Sequence, residues 1–237
     1  MRSALLIVAV CLLATLMLSS MALADAYVSV WGDTGPKATV TSSWYGNTGL
    51  ILTPSAETLP PQGSTIGWHR VNRDPDSLDA WTVNFGLIQD LEVGGARVDT
   101  SNTESEDIAN LKYRIPVGQW LQNPEFPQVA IGVWDATDVI NRSYYVVLSK
   151  VFDLGLPSGA TITLHLGLAN NQANKGTMDG VFGGLEFWAF RYGLIQAEYD
   201  GDAFNVALRY MMSNHLSVDL GRLDGDLGWG ATYSSGF

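Results

Sequence analysis

The chain has 237 residues and a formal charge of -11, with 24 acidic against 13 basic side chains and a single cysteine. Such an acidic balance argues against a nucleic-acid partner and provides no polybasic patch for anionic lipid. It leaves room for one β-domain of barrel or sandwich size, built without disulfides.

Arg2 is followed by an apolar run from Ala4 to Leu18 and by the small-x-small triplet Ala22-Leu23-Ala24. That order is the one a secretory signal peptide requires, with cleavage expected after Ala24. Cys11 lies inside the run and is discarded with it. Arg2 is the only charge in residues 1–24, so the remainder carries -11 - 1 = -12. No later stretch is apolar for long enough to make a membrane-spanning helix.

Residues 25–63 are rich in Gly and Pro, with Leu50-Ile51-Leu52 between a Gly-rich and a Pro-rich flank. The segment reads equally as an N-terminal arm, a plug, or a first strand.

From Ser64 onward the side chains alternate between apolar and polar. The alternation places strands at 64–72, 79–87, 91–98, 108–115, 128–136, 142–152, 160–169, 181–190, 193–200, 204–211, 215–223 and 227–235. Period two puts successive side chains on opposite faces, and the short turn-forming links, such as Asp200-Gly201-Asp202, make neighbours antiparallel. Twelve is an even count, as single-chain outer-membrane barrels have. The expected fold is all-β: an antiparallel up-and-down transmembrane β-barrel of about 12 strands over 64–237. Counted back from Phe237, alternate connections form an acidic, polar set that includes 99–107 and 170–180, and a mostly shorter set. Outer-membrane barrels sort their outer and inner loops in this way.

One face collects Ile66, Trp81, Val83, Phe85, Ile131, Leu164, Leu166 and Leu168. The opposite face carries Glu92, Lys112, Arg114, His165, Glu186, Gln196, Glu198, Asn205, Arg209 and Asp219, which become the candidate lumen-facing residues. Buried charges must be paired, so this set predicts ion pairs inside a narrow barrel or solvated charges in a wide one. Glu198 and Arg209 are expected to face inward from adjacent strands, with reversal of both charges recovering part of any loss. Trp68, Trp81, Trp229, Tyr113, Tyr210 and Tyr233 suit an interfacial aromatic girdle. No nucleophile elbow, zinc-protease motif or phosphate loop is present. His165 shows no catalytic partner at strand spacing. No enzyme activity, cofactor or metal is expected.

The text GNTGLILTPSAETLPPQGSTIGW, the Leu148-Ser149-Lys150 triplet and Glu198-Tyr199-Asp200 resemble the YjbH family. The resemblance implies a Gram-negative outer-membrane barrel tied to exopolysaccharide production and export. Its implied partners are outer-membrane lipid and exopolysaccharide or its export proteins. Trp229, Tyr233 and the terminal Phe237 resemble the end signal read by the outer-membrane assembly machinery. Members of that family can be much longer than this chain. A small-solute porin and a secreted β-sandwich with a sugar-binding face are the other readings open at this point.

Overall fold

A computed structural model describes residues 41–74, 76–100, 104–123, 125–156, 159–171, 177–190 and 192–236. The expected signal peptide at 1–24, the first part of the 25–63 segment and Phe237 lie outside them.

The described residues form twelve strands: β1 Ser64–Asn72, β2 Ser77–Ile88, β3 Leu91–Thr100, β4 Glu106–Ile115, β5 Gln128–Trp134, β6 Ser143–Asp153, β7 Thr161–Asn171, β8 Gly180–Phe190, β9 Gly193–Tyr199, β10 Phe204–Met211, β11 Leu216–Leu223 and β12 Asp226–Ser235. One short helix, α1 Val117–Trp120, lies between β4 and β5. Each strand pairs antiparallel with its chain neighbours, and β1 pairs with β12 to close the barrel. The closure overturns the sandwich reading, since a sandwich keeps two separate sheets.

Two expected strands end early, for a local reason. The expected 128–136 strand stops at Trp134 because Asp135 takes a positive φ of 51°. Its carboxylate accepts the amides of Ile140 (2.7 Å) and Asn141 (2.8 Å), which turns the chain. The expected 193–200 strand stops at Tyr199, because Asp200 accepts the amides of Asp202 (2.9 Å) and Ala203 (2.8 Å). Short acidic side chains compete for backbone donors in this way at turns.

The alternation becomes an outside and an inside. Ile66, Trp81, Val83, Phe85, Leu164, Leu166, Leu168, Val206, Leu220 and Trp229 are exposed on the outer wall. The girdle candidates Trp68, Trp81 and Trp229 form one cluster on β1, β2 and β12. Ring centroids lie 6.2 Å apart for Trp68–Trp81 and 4.7 Å apart for Trp68–Trp229. Tyr113, Tyr210 and Tyr233 are exposed elsewhere on the wall.

Residues 41–62 add no strand to the barrel. Two isolated bridges, Ser42–Thr48 and Gly49–Pro54, fold the segment on itself. Leu50, Ile51 and Leu59 have no exposed surface, and the segment bonds to inward-facing side chains of the wall. It therefore fills the barrel interior. Ile51, Leu52 and Trp44 pack with Val71, Ala207 and Leu223, while Tyr45 and Ala56 pack with Ala80, Ala96, Ala130 and Val147. Small inward residues on the wall leave space for the large ones on the segment.

The wall also uses glycine where the segment comes closest. A Cβ on Gly228 would stand 2.5 Å from the Trp44 ring, and one on Gly94 would stand 2.3 Å from the Gly46 carbonyl. Glycine in a strand interior marks close backbone approach, which is its role here.

Candidate functional site in the barrel lumen

The inward faces of β2, β3, β4, β6 and β8–β10 bond the 41–62 segment through charged, amide and hydroxyl side chains. The most heavily bonded is Glu198 on β9. Its carboxylate accepts the amides of Ile51 (3.1 Å), Leu52 (2.9 Å) and Thr53 (3.2 Å), and the Thr53 hydroxyl (2.9 Å). Asn205, its register partner on β10, donates to the same carboxylate at 3.1 Å. No salt bridge involving Glu198 occurs among the described residues; a turn of backbone N–H groups takes the place of a cation, as in other carboxylate-binding concavities.

Glu92 on β3 repeats the arrangement one turn away. It accepts the Thr48 amide (2.7 Å), the Thr48 hydroxyl (2.8 Å) and the Leu59 amide (2.9 Å). Lys112, opposite it on β4, lies 3.6 Å from Glu92 and donates to the carbonyls of Thr48 (2.7 Å) and Ser55 (3.3 Å). A buried ammonium and carboxylate thus use their remaining bonding capacity on the segment between them. That satisfies the condition under which a buried pair is tolerated.

Arg209 on β10 bonds Asp219 on β11 through Nε, and its Nη2 donates to the Ser42 carbonyl at 2.8 Å. Glu198 and Arg209 do face inward from adjacent strands, but they are not a pair. In the β9–β10 register Arg209 stands opposite Leu194, and Glu198 stands opposite Asn205.

Glu186 on β8 accepts the Thr41 hydroxyl (2.9 Å) and the Gln196 amide (2.7 Å). His165 Nε2 lies 3.6 Å from the same carboxylate. His165 does have a strand partner, contrary to the sequence reading. Ser149 on β6 is its register neighbour, with Oγ 2.8 Å from Nδ1. The residues follow the order of a Ser-His-acid relay, but the geometry does not serve one. Glu186 is beyond hydrogen-bond reach of Nε2, and the Ser149 Oγ accepts the Ala56 amide at 2.8 Å. All three are almost fully buried, with Ala56 seated on the hydroxyl. A nucleophile needs an open approach to its oxygen, so this trio acts as another anchor for the segment.

Asn110 on β4 was missed in the sequence. It donates to the carbonyls of Tyr45 (2.7 Å) and Gly46 (2.6 Å) and accepts the Asp135 amide at 3.0 Å. Its signal was parity, since it stands two residues before Lys112. Asn84 on β2 donates to the hydroxyls of Ser42 and Thr65, at 2.8 Å each. On β1, His69 stacks on Trp44 with centroids 4.9 Å apart and planes 17° apart.

Arg114 stands apart from this network. It sits at the rim where β12 ends, half-buried, and donates to Asp90 at 2.6 Å. With Gln119, Gln122, Phe126 and Gln128 it lines a groove of about 510 Å³ beside α1. The Lys150 ammonium lies 2.9 Å from Glu125, on the same loop, and holds its carboxyl below the usual range. Trp229 and Tyr233 are exposed on the outer wall at alternate positions of β12.

Among the described residues no group of His, Cys, Asp or Glu is arranged to hold a metal ion. No described helix is long and apolar enough to cross a membrane, a test that does not bear on strands. No protein-family model matches the chain, and no curated protein matches it significantly.

Proposed function

We propose that this chain is a non-enzymatic outer-membrane β-barrel whose lumen is closed by its own 41–62 segment. Following the resemblance to the YjbH family, we assign it a role in exopolysaccharide production or export. The observation that carries the reading is the inversion of the barrel. Large apolar side chains cover the outside of a closed wall, while Glu92, Lys112, Glu186, Glu198 and Arg209 are buried within it. In water this distribution is unfavourable, and in a bilayer it is the stable one. The expected signal peptide at 1–24 supplies the route across the inner membrane, and Trp229, Tyr233 and Phe237 the contact with the assembly machinery.

The bonding of the 41–62 segment favours an export accessory over a small-solute porin. A diffusion channel needs a solvated path, whereas here carboxylate, ammonium and guanidinium groups are engaged by the segment's backbone. Reconstitution of the full chain in planar bilayers tests this. A flat current trace is expected, and large steady conductance steps would support the porin reading instead. Envelope fractionation tests the address, with recovery expected in the Sarkosyl-insoluble fraction. Finding the protein in the soluble periplasm would overturn the membrane assignment. Deleting the gene in its host should lower secreted polysaccharide, and unchanged polysaccharide would remove the YjbH-type role.

A further inference from the structure

The apolar surface of the barrel does not stop where the strands stop. At the rim where β12 ends, the last residues of one strand and two successive connections carry exposed apolar side chains. Strand β2 ends on Leu87 and Ile88, the β4–β5 loop contributes Trp120 and Leu121, and the β6–β7 turn contributes Leu154 and Leu156. Trp120 is 68% exposed, the most of any described tryptophan. No charged residue occurs between Arg114 and Glu125. The connections at the opposite rim place exposed Asp74, Glu104, Asp138, Asp202 and Asp224 there instead, with Val139 and Ile140 among them.

The presentation of Trp120 is built by the chain. The α1 turn is closed by the Gln119 amide on the Pro116 carbonyl (3.1 Å) and the Leu121 amide on Val117 (2.9 Å). The Asn123 amide on Gly118 (2.9 Å) extends it. The Lys150–Glu125 pair then ties the loop to β6.

We propose that the α1 loop, the β6–β7 turn and the end of β2 lie in the headgroup–acyl boundary of the lipid leaflet at this rim. Connections as well as strand ends then set the membrane boundary on that side. This rests on the membrane reading above. Three features select lipid as the occupant. The exposed apolar residues continue the outward faces of their own strands, from Phe85 to Leu87 on β2 and from Phe152 on β6 to Leu154. By strand order they follow one another along the rim from β2 to β7. Trp combines a large apolar ring with one N–H donor, the chemistry that favours the interface. The apolar faces of interfacial helices sit roughly 5–10 Å deep in this boundary.

The test uses the full chain in a Cys11→Ser background, which leaves no other cysteine. Trp120→Cys, Leu121→Cys, Leu166→Cys and Ala136→Cys are each labelled with an environment-sensitive fluorophore. They are then folded into vesicles of phosphatidylethanolamine and phosphatidylglycerol. Leu166 reports the wall and Ala136 the opposite rim. Labels at 120 and 121 should show blue-shifted emission, quenched by lipids carrying a nitroxide near the headgroup and shielded from aqueous iodide. The label at 136 should be quenched by iodide. If 166 is lipid-shielded but both 120 and 121 are open to iodide, the interfacial loop is wrong while the membrane barrel stands. If 166 is open to iodide as well, the membrane reading fails and takes this inference with it.

Discussion

Glu198 and Thr53 are 145 residues apart in the chain, yet one carboxylate oxygen of Glu198 accepts both the amide and the hydroxyl of Thr53, at 3.2 and 2.9 Å. The contact joins the barrel wall to the segment within it and needs no opposing cation. Donors to a charged acceptor are worth more than neutral ones, and removal of the acceptor leaves buried N–H groups without partners.

Glu198→Gln keeps the size of the side chain but offers a single acceptor oxygen and places an NH₂ among the three amides. A loss of about 2–3 kcal/mol in folding stability is expected, with Glu198→Ala at least as damaging. Urea titration in lipid vesicles, followed by the heat-modifiable gel shift, measures it. Because Arg209 is bonded to Asp219 and not to Glu198, reversing both Glu198 and Arg209 should bring no recovery beyond the sum of the single losses.

The stack at the β1–β12 seam gives a two-residue test. A methyl on Gly228 would press on the Trp44 ring. Gly228→Ala should therefore lower stability by about 1–3 kcal/mol in the parent chain. In a Trp44→Ala background, where the ring is gone, the same change should cost much less. Equal costs in both backgrounds would mean that Gly228 is there for another reason.

On the outer wall, Leu208 of β10 lies between Ile195 and Leu220 in the register. Leu208→Lys should destabilise the membrane-inserted protein by about 2–4 kcal/mol if the residue is near the bilayer midplane. Leu208→Ile should leave it nearly unchanged. A harmless lysine, measured by the same urea titration, would speak against lipid at this face.

Ser149 offers a chemical test of the lumen. Its hydroxyl is buried and holds the Ala56 amide, so a fluorophosphonate probe should not label the folded protein. Ser149→Ala should instead reduce stability, by about 1–2 kcal/mol, through the unpaired amide. Labelling of Ser149 in the native protein, detected by peptide mass, would show an accessible nucleophile and reopen the question of activity.

The wall of this protein was legible in its residues. Period-two alternation placed β1 and β10 at their observed bounds and separated Leu164, Leu166 and Leu168 from His165. A strand must turn alternate side chains to opposite faces, and short turns force antiparallel neighbours, so local pattern was enough. The same parity assigned Glu92, Lys112, Glu198 and Arg209 to the inner face.

What those inner residues bind was decided only by the tertiary structure. Arg209 meets Asp219 and misses Glu198 because the register on either side of β10 is set by where its two turns fall. Ser149 meets His165 through the register of β6 with β7, across a connection whose geometry no periodicity encodes. The place of residues 41–62 was the least legible, because Gly- and Pro-rich text fits an arm, a strand or a plug alike. Closure of β1 on β12 creates the interior, and only in that interior do the amides of Ile51, Leu52 and Thr53 find the carboxylate that holds them.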